Sequence, residues 1–397
     1  MTWSRRGFFA GAGAGLATLF ARGALRAFAA PDASTKTVVV LMQRGACDGL
    51  AMIPPHGDPE LGRARPSLAT ALGANLVDLD GQFGLHAGLA PLLDHWTAGR
   101  LAIVPAVGLT GASRSHFEAQ DLLEQGGAPS DTGWANRAIA HRAHTDTTAI
   151  AVGNSLPRAL AGDQPALVVE QSGEIGVARK TQPKKRDAII AALTDLYAQG
   201  DDPFTSTARR ALASAQRIEA ALAAQPAATK PQGPIGQALV TAARLIRARL
   251  GAELIVVDTG GWDTHTAESQ RLDRQFHMLG DAIAAFATEL GDQLADVTLV
   301  TISEFGRTVR ENGTGGTDHG TATMSLVLGG AVHGKRIVGA WPGLTTDKLF
   351  EGRDLAITTD SRDLLGDVLA GTLAVDSPTL AALFPDHAHK PLGLMRA

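Results

Sequence analysis

Acidic, imidazole and serine side chains gather in five short clusters, four of them bearing glycine. They are Gln43-Arg44-Gly45-Ala46-Cys47-Asp48-Gly49, Ser113-Arg114-Ser115-His116, Asp258-Thr259-Gly260-Gly261-Trp262-Asp263-Thr264-His265, Ser303-Glu304-Phe305-Gly306-Arg307 and Gly315-Gly316-Thr317-Asp318-His319-Gly320. Carboxylates and imidazoles drawn from separate clusters can surround one cation. Such a donor set suits zinc, or manganese where oxygen ligands dominate. A serine at a helix N-terminus beside that ion becomes a nucleophile, because the metal lowers its pKa and the helix amides favour anionic oxygen. The combination fits hydrolysis of a phosphate or sulfate ester. Taken singly, each cluster has a plainer reading: Asp258 and Glu304 as helix caps, His116 and His265 as hydrogen-bonded imidazoles, Gly-Gly as a tight turn. What favours the metal is where the clusters fall.

The apolar, β-branched run at 37–42 (TVVVLM) reads as a buried strand, and the pattern returns at 101–107, 166–169, 253–257, 297–302 and 325–328. Longer stretches of helical periodicity separate these runs. The expected class is therefore α/β, with a mostly parallel central sheet covered by helices on both faces. In open sheets of this kind ligands bind outside the carboxyl ends of the strands, which is where the polar clusters lie. Residues 266–294 give the clearest helix, with Leu272, Phe276, Leu279, Ile283 and Phe286 at three- and four-residue steps. From about 143 to 234 the pattern loosens into Ala-, Gln- and Lys-containing segments, read as a helical insertion with helices near 187–199 and 207–223. The basic run at 180–186 within it reads as a solvated loop.

The whole chain carries 36 Lys+Arg against 40 Asp+Glu, with 45% hydrophobic residues, a balance that excludes a disordered tail or a basic nucleic-acid binder. Cys47 is the single cysteine, so no intramolecular disulfide can form. Residues 1–29 read as an export signal. Arg5-Arg6 precedes an uncharged apolar run at 8–20, and Ala27-Phe28-Ala29 supplies a small-x-small cleavage pattern. The apolar run is well short of the ~20 residues a spanning helix needs, so no permanent membrane anchor is expected. The expected mature chain, 30–397, is a single acidic domain, periplasmic or secreted, whose partner during export is the twin-arginine machinery.

The motifs Arg44-Gly-Ala-Cys-Asp48-Gly-Leu50, Phe83-Gly-Leu-His86, Ser113-Arg-Ser-His-Phe-Glu-Ala-Gln-Asp121, Asp258-Thr-Gly-Gly-Trp-Asp-Thr-His265, Ser303-Glu-Phe-Gly-Arg-Thr308 and Gly316-Thr-Asp-His-Gly320 resemble a twin-arginine-exported bacterial family, domain of unknown function DUF1501. That family in turn resembles the alkaline-phosphatase-like superfamily, which includes sulfatases and phosphopentomutases. The resemblance implies its α/β fold and a metal-dependent serine hydrolase acting on a small anionic ester or an envelope glycan. By the same resemblance Asp48 serves a second metal, and Ser115 or Ser113 stands at the nucleophile position. Asp258 or Asp263, with His265, Asp318 and His319, supplies the first metal. The superfamily's Asp-His-Gly is here Glu304-Phe305-Gly306, so the second site keeps Asp48, Ser115 and Glu304 and loses an imidazole. That loss lowers affinity or shifts preference from zinc towards magnesium, manganese or calcium. His116 is then either a compensating ligand or a general base, and Arg114 and Arg307 are either anion clamps or ordinary salt-bridge partners. Cys47 lacks the Cys-x-Pro-x-Arg setting of a sulfatase nucleophile. The alternative function is a degenerate relative that binds a metal or anion, or scaffolds an envelope complex, without turnover.

Overall fold

Every residue of β1 (Thr37–Gln43) is buried, and alternate side chains enter two different cores. Val39 and Leu41 pack with Leu239, Phe276 and Ile283 on one face of the sheet. Val38, Val40 and Met42 pack with Trp134, Leu365 and Leu369 on the other. Two-sided burial explains why the strand is continuously apolar rather than alternating. The computed structural model describes residues 35–72, 76–142, 146–172, 183–200, 202–230 and 232–396, and the leader at 1–29 lies outside them.

After β1 come a small antiparallel pair, β2 (Val77–Asp78) and β3 (Gly84–Leu85), then β4 (Leu101–Gly108), β5 (Ala149–Val152) and β6 (Leu167–Val169). The chain continues through β7 (Leu254–Thr259), β8 (Val297–Ile302), β9 (Thr323–Gly329), β10 (Arg336–Ile337) and β11 (Thr359–Asp360). Nine of these form one sheet in the order β10-β4-β9-β8-β1-β7-β5-β6, with β11 also on β4. All its pairings are parallel except those of β9, which runs against β4 and β8. This fold is the expected one, with one reversed strand. The reversal matters, because it puts the start of β9 beside the carboxyl ends of β4 and β8 and so brings residues 315–320 to the same edge as the other polar clusters.

The stretch read as an insertion divides in two. Residues 149–169 are not an insert: β5 and β6 extend the sheet beyond β7. Helices Pro183–Tyr197 and Pro203–Ala224 lie outside it, the second lending Ile218 and Leu222 to the core. Residues 180–182 of the basic run lie outside the described residues, and the rest opens the first of these helices, not a loop. The helix expected at 266–294 runs Glu268–Leu290 and tightens into a 3₁₀ segment, Gly291–Asp296. Among the described residues no helix is long and apolar enough to cross a membrane.

Helix Glu268–Leu290 meets the turn Ala87–Leu92 backbone to backbone, and a Cβ built on Gly280 would stand 2.2 Å from the Gly88 carbonyl oxygen. Gly280→Ala is expected to push the helix off this turn at a cost of about 1–3 kcal/mol, read as a lowered urea midpoint. An unchanged midpoint would mean the contact yields without cost.

Candidate metal centre

Four side chains from three strand ends meet at the carboxyl edge. His116 opens helix His116–Glu124 after β4. Asp263 and His265 follow β7, and His319 is drawn in by an isolated antiparallel bridge to Arg307, just after β8. His265 Nε2 lies 3.0 Å from His319 Nε2 and 3.0 Å from Asp263 Oδ1. His319 Nε2 is 3.2 Å from Asp263 Oδ1, and His116 Nε2 is 3.6 Å from Asp263 Oδ2.

The opposite ring nitrogens fix what these atoms are. His116 Nδ1 is 2.7 Å from Glu304 Oε1, His265 Nδ1 is 3.1 Å from Asp318 Oδ1, and His319 Nδ1 is 3.0 Å from the Arg114 carbonyl oxygen. A carboxylate or carbonyl oxygen can only accept, so each Nδ1 carries a proton and each ring turns its Nε2 inward. Burial lowers the pKa of His319 despite its bond to Asp263, which keeps that ring neutral and able to ligate. Three imidazole Nε2 atoms and a carboxylate thus face one another, and His116 Nε2 is buried without a hydrogen-bond partner. Ligand atoms packed this way call for a cation. One ligand atom each from His116, Asp263 and His319 lies within 4.8 Å of the other two, while His265 Nε2 adjoins His319 and Asp263 without joining that group; three protein ligands with an open fourth position are a zinc arrangement. The donor set therefore fits zinc.

Arg307 holds the loops that carry these ligands. Its guanidinium is 1% exposed and donates to Asp263 Oδ1 and to the carbonyl oxygens of Gly45, Ala46, Trp262 and Thr317. Burial pushes the Asp263 carboxyl up, but the bond and charge of Arg307, with His319 and His265, prevail and hold it at about 2. Asp263 is consequently a carboxylate at any working pH. Two of the tethered carbonyls belong to a strained turn, where Gly45 has φ +113° and Ala46 φ +59°. That turn aims the Gly45 amide at Glu304 Oε1, 2.8 Å away.

The remaining expected residues fall around this centre. Of the two aspartates left open, Asp263 is at the centre, while Asp258 Oδ1 is 2.9 Å from Arg44 Nη2. Glu304 lies beneath His116, where Gly45 N, Gln120 Nε2 at 2.8 Å and the His116 ring all bond its Oε1, and Oε2 is 3.1 Å from Ser303 Oγ. Asp318 orients His265 and is not among the converging atoms. Asp48 is buried in an ion pair with Arg65. Arg307 and Arg114 take the salt-bridge reading, the latter bonded to Glu351 and Asp354, so neither guanidinium is a free anion clamp. Ser113 Oγ lies 2.6 Å from Glu118 Oε2, whereas Ser115 occupies the N-cap position of helix His116–Glu124 with its hydroxyl uncommitted to a cap. Burial pushes the Cys47 thiol well up, which rules out a resting thiolate.

Sequence reading missed Glu268, Arg65 and Gln120. Glu268 accepts from Thr317 Oγ1 at 2.8 Å and shares a buried pocket of charge with Asp48 and Arg65. Its position three residues after His265, at a helix start, was the only signal available.

No curated protein matches the chain. Solved structures similar to it include the C-terminal periplasmic domain of EcEptC from Escherichia coli in complex with Zn, at 11% identity and TM-score 0.35 over 75% of this chain and 74% of that one. A protein in the alkaline phosphatase superfamily from Vibrio parahaemolyticus gives 11% and 0.38 over 87% and 69%, and BT1596, a 2-O GAG sulfatase, 9% and 0.41 over 90% and 76%. A family model matches residues 104–379, which include all four of these side chains. The chain belongs to the family described as protein of unknown function DUF1501.

Proposed function

We propose that the protein is an exported metal-dependent hydrolase of phosphate or sulfate esters, working from one zinc centre held by His116, Asp263 and His319, with His265 beside them. The observation that carries this reading is the convergence of three anchored Nε2 atoms on one carboxylate. When bound, zinc supplies Lewis-acid charge to the ester oxygens. Ser115 is the nucleophile, since Ser113 is committed to Glu118 and Ser115 directly precedes a ligand. With Arg114 and Arg307 tied to internal partners, the first free amides of helix His116–Glu124 hold the nonbridging oxygens. Passage through the twin-arginine machinery is supported by the Arg5-Arg6 leader motif.

Zinc-loaded protein should hydrolyse aryl phosphates or aryl sulfates. Ser115→Ala is expected to lower turnover at least about a hundredfold and Ser113→Ala only a few-fold. Equal turnover in both variants would remove Ser115 from the reaction. The second reading, a scaffold that keeps its metal without turnover, is favoured by one feature: the Arg114 and Arg307 guanidiniums are both tied to internal partners, which leaves neither as an anion clamp. Stoichiometric zinc with no hydrolysis of either ester class would decide for it.

A further inference from the structure

The motif resemblance assigns a second metal to Asp48, Ser115 and Glu304, and those residues do not fit one. Glu304 is fully buried, and its Oε1 already takes the Gly45 amide, the Gln120 amide and the His116 ring. An oxygen with three donors on it is committed to the His116 ring and the Gly45 turn and has no lone pair left for an ion. Asp48 is 1% exposed and neutralised by Arg65, which is itself tied to the carbonyl oxygens of Thr308 and Val309.

The change from Asp-His to Glu304-Phe305 has a use at the first metal. The Phe305 ring stacks on His116 at 5.0 Å and 24° and touches the His319 ring at 5.1 Å. Glu304 fixes the His116 tautomer from one side while Phe305 fixes the plane of the ring. We infer that the centre is mononuclear, and that Glu304 and Phe305 are positioning residues that turn His116 into one of its ligands. The inference rests on the metal set of the proposed function and not on hydrolysis.

The test is titration of metal-free full-length mature protein with zinc against a chromophoric chelator, together with the visible spectrum of the cobalt(II)-loaded form. Wild type should bind one equivalent. Glu304→Gln should still bind one equivalent, with affinity weakened about 10–100-fold and an altered cobalt band. Phe305→Leu should shift both in the same direction by less, and it keeps the inference testable if Glu304→Gln does not fold. Two equivalents in wild type, or one of two lost in Glu304→Gln, would overturn the mononuclear assignment. Unchanged affinity and spectrum in both variants would overturn the positioning roles. A protein that binds one zinc and hydrolyses nothing refutes the hydrolase reading and leaves this inference intact.

Discussion

Arg307→Met is expected to cost about 3–5 kcal/mol of stability and to abolish stoichiometric zinc binding. The side chain is buried, and five acceptors on three loops depend on it: the Gly45 and Ala46 carbonyls after β1, Trp262 and Asp263 after β7, and Thr317 before β9. Methionine fills much of the volume and satisfies none of them, so buried carbonyl groups are left without donors. Arg307→Lys should recover little, because an ammonium cannot reach five acceptors spread around a planar fork. Urea denaturation with zinc titration of both variants measures the effect. A wild-type midpoint in Arg307→Met would show that the loops are held by something else.

The metal-free protein should lose stability as pH rises from about 4.5 to about 8, and Glu268→Gln should remove that dependence. Burial and the adjacent Asp48 carboxylate raise the Glu268 carboxyl from 4.5 to about 8, against the opposing pull of Arg65. Its Oε1 and Asp48 Oδ1 are both buried without another partner, as two carboxyl oxygens sharing one proton would be. The sign follows from the proton count. Between the two pKa values the folded chain holds a proton that the unfolded chain has released. The contribution is therefore complete below pH 4.5, falls by about 1.4 kcal/mol per unit, and is gone once Glu268 ionises near pH 8. The total is on the order of several kcal/mol. Glutamine keeps an N–H for Asp48 and an oxygen for Thr317 without the titration. Urea midpoints from pH 5 to 9, taken as the difference between wild type and Glu268→Gln, cancel the histidine contributions. Parallel profiles would rule out the shared proton.

The central strands were legible because a strand buried on both faces has no polar alternation to confuse it with a loop. β5 escaped notice because Ala149–Val152 is four residues long and half alanine, and β10 and β11 because two residues carry no period. The direction of β9 is invisible in its composition, since a strand buried on both sides looks the same whichever way it runs. At the site, the residue types were legible and several roles were not. His116 becomes a ligand through the Glu304 bond at its far nitrogen, a contact across 188 positions. Arg307 read as a possible anion clamp because burial does not show in a local motif, and Asp48, Arg65 and Glu268 meet only when β1 and the helix after β7 are both in place.

The position of β1 has a consequence for the order in which the chain can fold during synthesis. Its neighbours in the sheet are β7, paired from Val38 to Leu254, and β8, paired from Thr37 to Val297. The first strand made is thus completed by strands made more than two hundred residues later, and no earlier segment hydrogen-bonds to it in the sheet. Contacts of such long range are slow to form, and an emerging N-terminal fragment leaves an apolar strand with two open edges. Nascent chains shorter than about 300 residues should therefore be chaperone-bound and protease-sensitive, with the fold and its ligand set appearing together only near the end of translation.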